Sequence, residues 1–368
     1  MSVGKFVSFG LDQQVQLMKE KPMRFGLRSF LISTSLLGAI IAFCVASTHE
    51  HIRTERSWQL HSIALKELEK VGAEQIYWSS NRRPKVLFWQ KSSKEFSHIW
   101  SIELRLPSNK DLPLKTDIGG NKRLFEAIAA LPQLRSLYLS YTDVTNDDLV
   151  LVGECRALRR LHVQGTDIGD AGIAQLANIS QFTSLDLYST QITDEGLYYL
   201  RQCTGLEWLF LGKTSVTDAG LEHLAALPLQ YLRLWGENVT SDGLVHLANM
   251  RTLKQLFLGN TNISDEGLEH LSNLQLRELD LHGTSVTSLG VVHLTKIDSL
   301  QRLDLSDTNV TDDAIDSLLR MKKLRWLDLD HTDVTESGFK RLKREMPKAD
   351  VGWSKKRIKA PTTQTRDS

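Results

Sequence analysis

Residues 182–205 read FTSLDLYSTQITDEGLYYLRQCTG, and residues 206–228 read LEWLFLGKTSVTDAGLEHLAALP. The second stretch keeps the apolar places of the first while most other side chains change. Leu185 and Leu187 answer to Leu209 and Leu211, Ile192 to Val216, and Leu197 and Leu200 to Leu221 and Leu224. Working outward, the unit starts nine times, at Leu134, Leu158, Phe182, Leu206, Leu229, Leu253, Leu276, Leu300 and Leu324, every 23 or 24 residues. Leucines at the fourth and sixth places alternate with polar or aromatic residues, the period-two signature of a short strand with one buried face. Thr193 or Asp194 then offers a side-chain oxygen to an orphan amide of a first helical turn. Apolar residues return at the sixteenth, nineteenth and twenty-second places, as at Leu268, Leu271 and Leu274, which is one face of a helical segment. Glycine holds the fifteenth place in seven units, among them Gly196, Gly220 and Gly243, and Ala314 holds it in another. Glycine inside a helix costs about 1 kcal/mol against alanine, so its repetition predicts a close approach between neighbouring helices.

One such unit cannot cover its own apolar side and must stack on its neighbours. The expected fold is an α/β solenoid, with a parallel sheet lining the concave side and helices on the convex side. The two 23-residue units each omit one residue in the return loop, where a deletion is easily absorbed.

The spacing L-x-x-L-x-L-x-x-T-x-[VI]-T-D-x-G-L-x-x-L resembles the leucine-rich repeat family, in its 24-residue T-D-x-G-L form, over residues 99–353. That form is similar to arrays in planctomycete-like, membrane-anchored bacterial proteins. The resemblance implies a horseshoe that binds a protein partner, and it leaves the ligand open, because one scaffold serves many functions.

With a net charge of +1, no global field points to nucleic acid. Three cysteines rule out a disulfide framework. Cys155 and Cys203 fill the twenty-second, apolar place of their units, two rungs apart. That is about 10 Å at strand spacing, beyond the ~7 Å Cα reach of a disulfide. Both are expected to be free and buried.

Residues 1–29 are polar and basic, and residues 30–47, FLISTSLLGAIIAFCVAS, carry no charge. At 1.5 Å per residue this stretch spans about 27 Å, enough for a transmembrane helix. The preceding basic flank places residues 1–29 in the cytoplasm and the repeats outside. A cleaved signal peptide ending near Cys44-Val-Ala46 is the rival reading, and Met23 offers a second possible start. Residues 48–98 do not repeat and are read as a membrane-proximal cap. They hold an amphipathic helix from Trp58 to Lys70, a strand at Gln75–Trp78 and another at Val86–Trp89. Ile99–Leu104 is an atypical first rung, followed by about eleven extra residues within 107–120. Residues 349–353 form a terminal strand, and residues 354–368 a basic, polar tail without expected order.

No Gly-rich phosphate loop, Cys-x-x-Cys or His-Glu-x-x-His stands in the chain, so no catalytic residue, cofactor or metal is assigned. His223, His246, His270 and His293 recur at the eighteenth place, but helical layers roughly 8–10 Å apart are too distant for shared ligation near 2 Å. Of the glycosylation-like triplets at Asn178, Asn238, Asn262 and Asn309, three coincide with the repeat itself, and they are read as by-products rather than signals.

Strand alternation turns the third, fifth and seventh places outward. In the middle units these are Tyr188, Trp208, Phe210, Tyr231, Arg233, Trp235 and Phe257, large side chains that cannot be core because leucines already fill the inward places. Exposed rings on a rigid surface are the usual form of a binding hot spot, although mutual stacking would need no ligand. Later units present Asp280, Asp304 and Asp328 in line; Arg302, a cation or a basic partner would offset their repulsion, and the other reading is a solvated ladder that needs none. The expected function is a membrane-anchored scaffold holding a protein partner on this concave face. The alternatives are a structural envelope spacer and a carbohydrate-binding surface that uses the rings and Asp186.

Overall fold

The computed structural model describes residues 77–78, 85–86, 101–103, 119–120, 122–129, 131 and 134–354, except 178 and 237. All of them belong to the second of two compact units, Leu60–Ser368. The apolar stretch 30–47, the helix read at 58–70, most of the insertion and the tail 355–368 lie outside the described residues. Among the described residues, no helix is long and apolar enough to cross a membrane.

Strands β1 (Tyr77–Trp78) and β2 (Lys85–Val86) pair antiparallel, with Tyr77 opposite Val86. The remaining strands are β3 (Ser101–Glu103), β4 (Ser136–Tyr138), β5 (Arg160–His162), β6 (Ser184–Asp186) and β7 (Trp208–Phe210). They continue with β8 (Tyr231–Arg233), β9 (Gln255–Phe257), β10 (Glu278–Asp280), β11 (Arg302–Asp304), β12 (Trp326–Asp328) and β13 (Asp350–Gly352). These form one 11-stranded sheet in chain order, every neighbour parallel. The register is one unit per strand: Leu209 lies between Leu185 and Leu232. The strand expected at 349–353 is β13, which covers the last regular rung. Beside it Trp353 stacks on Phe339 at 5.3 Å, and its indole N–H donates to the Val334 carbonyl at 2.9 Å.

The central leucine of each strand, from Leu137 to Leu327, is at most 1% exposed. Burying each contributes about 1.5–3 kcal/mol, and a slip of one residue would turn the whole column to solvent. Cys155 and Cys203 sit in the same core, free and buried, and burial pushes their thiols up to about 12 and about 11 respectively.

The outer segments are helical, but not uniformly α. Asn146–Val152, Asp170–Leu176, Asp194–Leu200 and Ser288–Leu294 are α-helices, whereas Ser241–Leu247 is a 3₁₀ helix and Asp218–Leu221 runs into the 3₁₀ turn Glu222–Leu224. Apolar residues spaced by three suit three residues per turn as well as one α-helical face, so the pattern alone does not separate the two forms.

Two devices turn the strands away from the sheet, the second of them in eight of the nine regular units. The eighth residue of every unit has positive φ, from Tyr141 (59°) and Ser189 (54°) to Lys213 (54°), Asp307 (53°) and His331 (58°), with glycine in three units. For a residue with a Cβ this costs roughly 1–2 kcal/mol, so packing must impose it. The ninth-place threonine then donates its hydroxyl to the sixth-place carbonyl. Thr142, Thr166, Thr190, Thr214, Thr261, Thr284, Thr308 and Thr332 all do so, at 2.5 to 2.7 Å. Each such bond contributes about 1 kcal/mol and satisfies a carbonyl at the strand's end.

The recurrent glycine has a more specific cause than helix proximity. The Asp194 carboxylate accepts from both the backbone N–H (2.8 Å) and the hydroxyl (2.6 Å) of Thr217, one unit on. Asp170 does the same for Thr193, Asp218 for Thr240, Asp265 for Thr287 and Asp312 for Thr335. A Cβ on Gly196, Gly220, Gly243, Gly290 or Gly338 would strike that incoming carboxylate. Before Ala314 the previous unit supplies Ser288 instead, whose hydroxyl oxygen accepts from the Thr311 N–H at 3.0 Å, while Gly267 likewise faces a serine, Ser241. Thus the threonine caps its own helix, as Thr193 does for the Glu195 N–H at 3.2 Å, while the aspartate after it serves the next rung.

Candidate functional site

The outward places of β6 to β9 gather the rings into two groups. Tyr231 is the centre of the first: its ring lies 5.0 Å from Trp208 with planes 18° apart, 4.7 Å from Phe210 and 4.8 Å from Phe257. Trp208 remains 39% exposed, while Phe210, Tyr231 and Phe257 are half-buried against one another. Burial raises the Tyr231 phenol above its ordinary value, with Arg233 pulling the other way.

The second group lies at the seventh places. Tyr188 and Trp235 approach to 6.1 Å across the intervening unit, where Gly212 leaves the gap that a Cβ would close against both side chains. Two cations flank it. Lys213 Nζ lies 5.7 Å from the Tyr188 ring and 5.8 Å from that of Trp235, and the Arg233 guanidinium stands 5.2 Å from Trp235. Stacked pairs of this kind contribute about 0.5–1.5 kcal/mol each beyond their burial. Part of the ring surface is therefore spent on the array itself.

Asp280, Asp304 and Asp328 follow in register on β10, β11 and β12. Each turns one oxygen back to accept the N–H two residues on, from His282 (2.9 Å), Ser306 (2.9 Å) and Asp330 (2.8 Å). Local turn chemistry thus supplies a reason for aspartate at the fifth place, independent of any ligand. It does not discharge the row: burial first, and the neighbouring Asp304 after it, hold the Asp280 and Asp328 carboxyls above their ordinary values. Arg302, expected as an offsetting cation, is committed to Glu278 at 3.0 Å and lies 4.8 Å from the Trp326 ring. Asp307, in the left-handed turn, sits between His282 (3.6 Å) and His331 (3.5 Å).

A feature absent from the sequence reading lies at the other end. Arg135, Arg159, Arg160 and His162 border a groove of about 690 Å³ that runs up to Trp208 and Phe210. Arg160 Nε donates to Ser136 Oγ at 3.0 Å, and His162 lies 4.5 Å from Tyr138 and 3.6 Å from the Asp186 carboxylate. Arg160 and His162 hold the third and fifth places of their unit, so strand alternation alone turns them outward. Asp186 is 9% exposed and accepts the Tyr188 N–H at 3.0 Å, the same turn contact that Asp280, Asp304 and Asp328 make. Among the described residues, no three His, Cys, Asp or Glu side chains are grouped to hold a metal ion.

Two family models, both described as leucine rich repeat, match this chain, one over residues 274–334 and the other over 154–177, 182–200 and 249–272. Similar solved structures include an internalin from Listeria monocytogenes, 18% identical, covering 68% of this chain and 86% of that one at a TM-score of 0.40. A leucine-rich repeat protein of Leptospira interrogans is 18% identical over 61% of this chain and 74% of its own, with a TM-score of 0.37. The plant peptide hormone receptor RGFR1, in complex with RGF2, is 16% identical, covering 62% of this chain and 37% of that receptor at 0.39. No curated protein matches the chain.

Proposed function

We propose that this chain, whose repeats are similar to leucine rich repeats, is a membrane-anchored scaffold that holds a protein partner on the outward face of β6 to β12. Proteins of this family commonly act as protein-binding scaffolds, which is the role a rigid stacked array suits. The observation that carries the reading is the ring cluster centred on Tyr231, with Trp208 still 39% exposed at its edge. Half-buried aromatics, flanking cations and a rigid backbone are the ingredients of an interface hot spot. Trp208, Phe210, Tyr231, Trp235 and Phe257 anchor the partner, Tyr188 and Arg233 frame it, and Asp280, Asp304 and Asp328 steer a basic part of it.

The uncharged stretch 30–47 anchors the chain in a membrane, with residues 1–29 in the cytoplasm and the repeats outside. The 24-residue T-D-x-G-L repeat form and its planctomycete-like, bacterial affinity belong to the same proposal. A spacer without ligand is favoured by one observation, the mutual stacking of Trp208 and Tyr231, which completes itself. Cross-linking of the full-length protein in its native membrane, compared with W208A/W235A, separates the two. Loss of discrete cross-linked protein bands in the variant supports the scaffold; an unchanged pattern supports the spacer.

A further inference from the structure

Resting on the reading of this face as a binding surface, we propose that its occupant is one extended peptide segment with oppositely charged ends. The acidic end lies over β4 to β6, the basic end over β10 to β12, and an apolar or aromatic residue sits between them.

The face is polarised along its length. Its first rungs carry Arg159, Arg160 and His162 around an open groove, with Glu207 on the rim nearest the rings and Asp186 3.6 Å from His162. Guanidinium groups pair with carboxylates through parallel hydrogen bonds, so a cluster of them selects acidic side chains. The middle rungs carry the rings. The last rungs carry Asp280, Asp304 and Asp328 in register, at about 4.8 Å per rung, with Asp330 and the histidine-flanked Asp307 in the turns beyond. Like charges at that spacing repel, and the one arginine on the outward face of these strands is already paired with Glu278. A basic side chain laid along the row relieves the repulsion.

The dimensions select an extended chain. Each strand is three residues long, so the strip is about 10 Å wide, close to one peptide with its side chains. From β5 to β12 is seven rungs, about 34 Å, which about ten extended residues span at 3.3 Å each. The path is diagonal. The arginines at the second and third places lie at the start of the strands, while the carboxylates at the fifth, seventh and eighth places lie at their ends. Arg277 and Arg325, also second-place residues, are therefore on the far edge from the carboxylate row.

The test uses the full-length protein and fluorescent peptides of about twelve residues, with an acidic third, a tryptophan-containing middle and a basic third. They are made in both chain directions, beside a scrambled isomer of the same composition, and titrated by anisotropy at low salt, where surface charge is least screened. One polarised peptide is expected to bind at least about tenfold tighter than its scramble. R159E/R160E should abolish that preference, and replacing the acidic third by a basic one should restore binding to this variant. Equal affinity for polarised and scrambled peptides, or equal lack of it, overturns the polarity. If W208A still weakens both peptides, the ring-centred reading survives that failure. If the preference persists undiminished in W208A/W235A, the polarity stands and the ring-centred reading falls.

Discussion

Trp208 and Tyr231, outward residues of adjacent strands, stack with ring centroids 5.0 Å apart and planes 18° apart, while Leu209 and Leu232 beside them are completely buried. One strand thus divides its labour by alternation, stability inward and exposed rings outward. Leu209→Ala should cost about 2–5 kcal/mol, whereas Trp208→Ala should cost less, about 1–2 kcal/mol, from its stacking and the covered part of its ring. Urea denaturation of the two variants checks this. Equal losses would mean that the tryptophan is part of the core.

The bridge from Asp218 to Thr240 joins consecutive rungs through two hydrogen bonds, at 2.8 and 2.6 Å. Asp218→Ala leaves a half-buried amide and hydroxyl without their acceptor and should cost about 1–3 kcal/mol. Asp218→Asn keeps an acceptor oxygen and should cost less. Thermal melts of the pair decide it, and indistinguishable curves would remove the bridge from the account of stacking.

Gly243 lies where the Asp218 carboxylate crosses. Helix propensity alone makes Gly→Ala favourable by about 1 kcal/mol, so Gly243→Ala should be destabilising in the wild type. Combined with Asp218→Ala it should become neutral or stabilising. A double-mutant cycle measures the coupling; additive effects would show that the glycine serves something else.

Asp280 and Asp328 have folded-state pKa values raised by burial and by Asp304. The folded state therefore binds more protons than the unfolded state around and just above the ordinary carboxylate range, and stability falls as pH rises through it. Asp280→Asn and Asp328→Asn keep the acceptor for the N–H two residues on and remove the charge. Each should raise Tm at pH 7 and lose that gain below the carboxylate range. A Tm lowered at pH 7 would show that the row is compensated.

Burial holds the Cys155 and Cys203 thiols near 12 and 11. With Cys44 replaced by serine, the native protein should resist maleimide at pH 7 and take up two labels on unfolding, counted by mass spectrometry. Labelling of the native form would place one of these thiols at the surface.

Much of this molecule could be read without coordinates because it is periodic in one dimension. Leucine at the fourth and sixth places implies strands with one buried face, nine repetitions imply stacking, and alternation alone turns Trp208 and Tyr231 outward. The aspartate–glycine crossing could not be read so. Asp194 and Gly220 are 26 positions apart and meet only when rungs stack, so the glycine looked like a matter of helix approach. The left-handed eighth residue was only partly hidden: Gly165, Gly283, Asn260 and Asp307 favour it, whereas at Tyr141 and Lys213 packing imposes it.

The site divides along the same line. Composition and place named the rings and the carboxylate row, because each belongs to one face of one strand. Which rings touch, which arginine is already spent on Glu278, and where the groove beside Arg159 and Arg160 opens depend on side chains from different rungs. The sequence by itself determined the repeat, the buried column and the side of the sheet each residue faces, because those follow from local periodicity. Only the tertiary structure decided the partners, because contacts across rungs exist at a separation of one whole unit, and no local pattern encodes the distance between them.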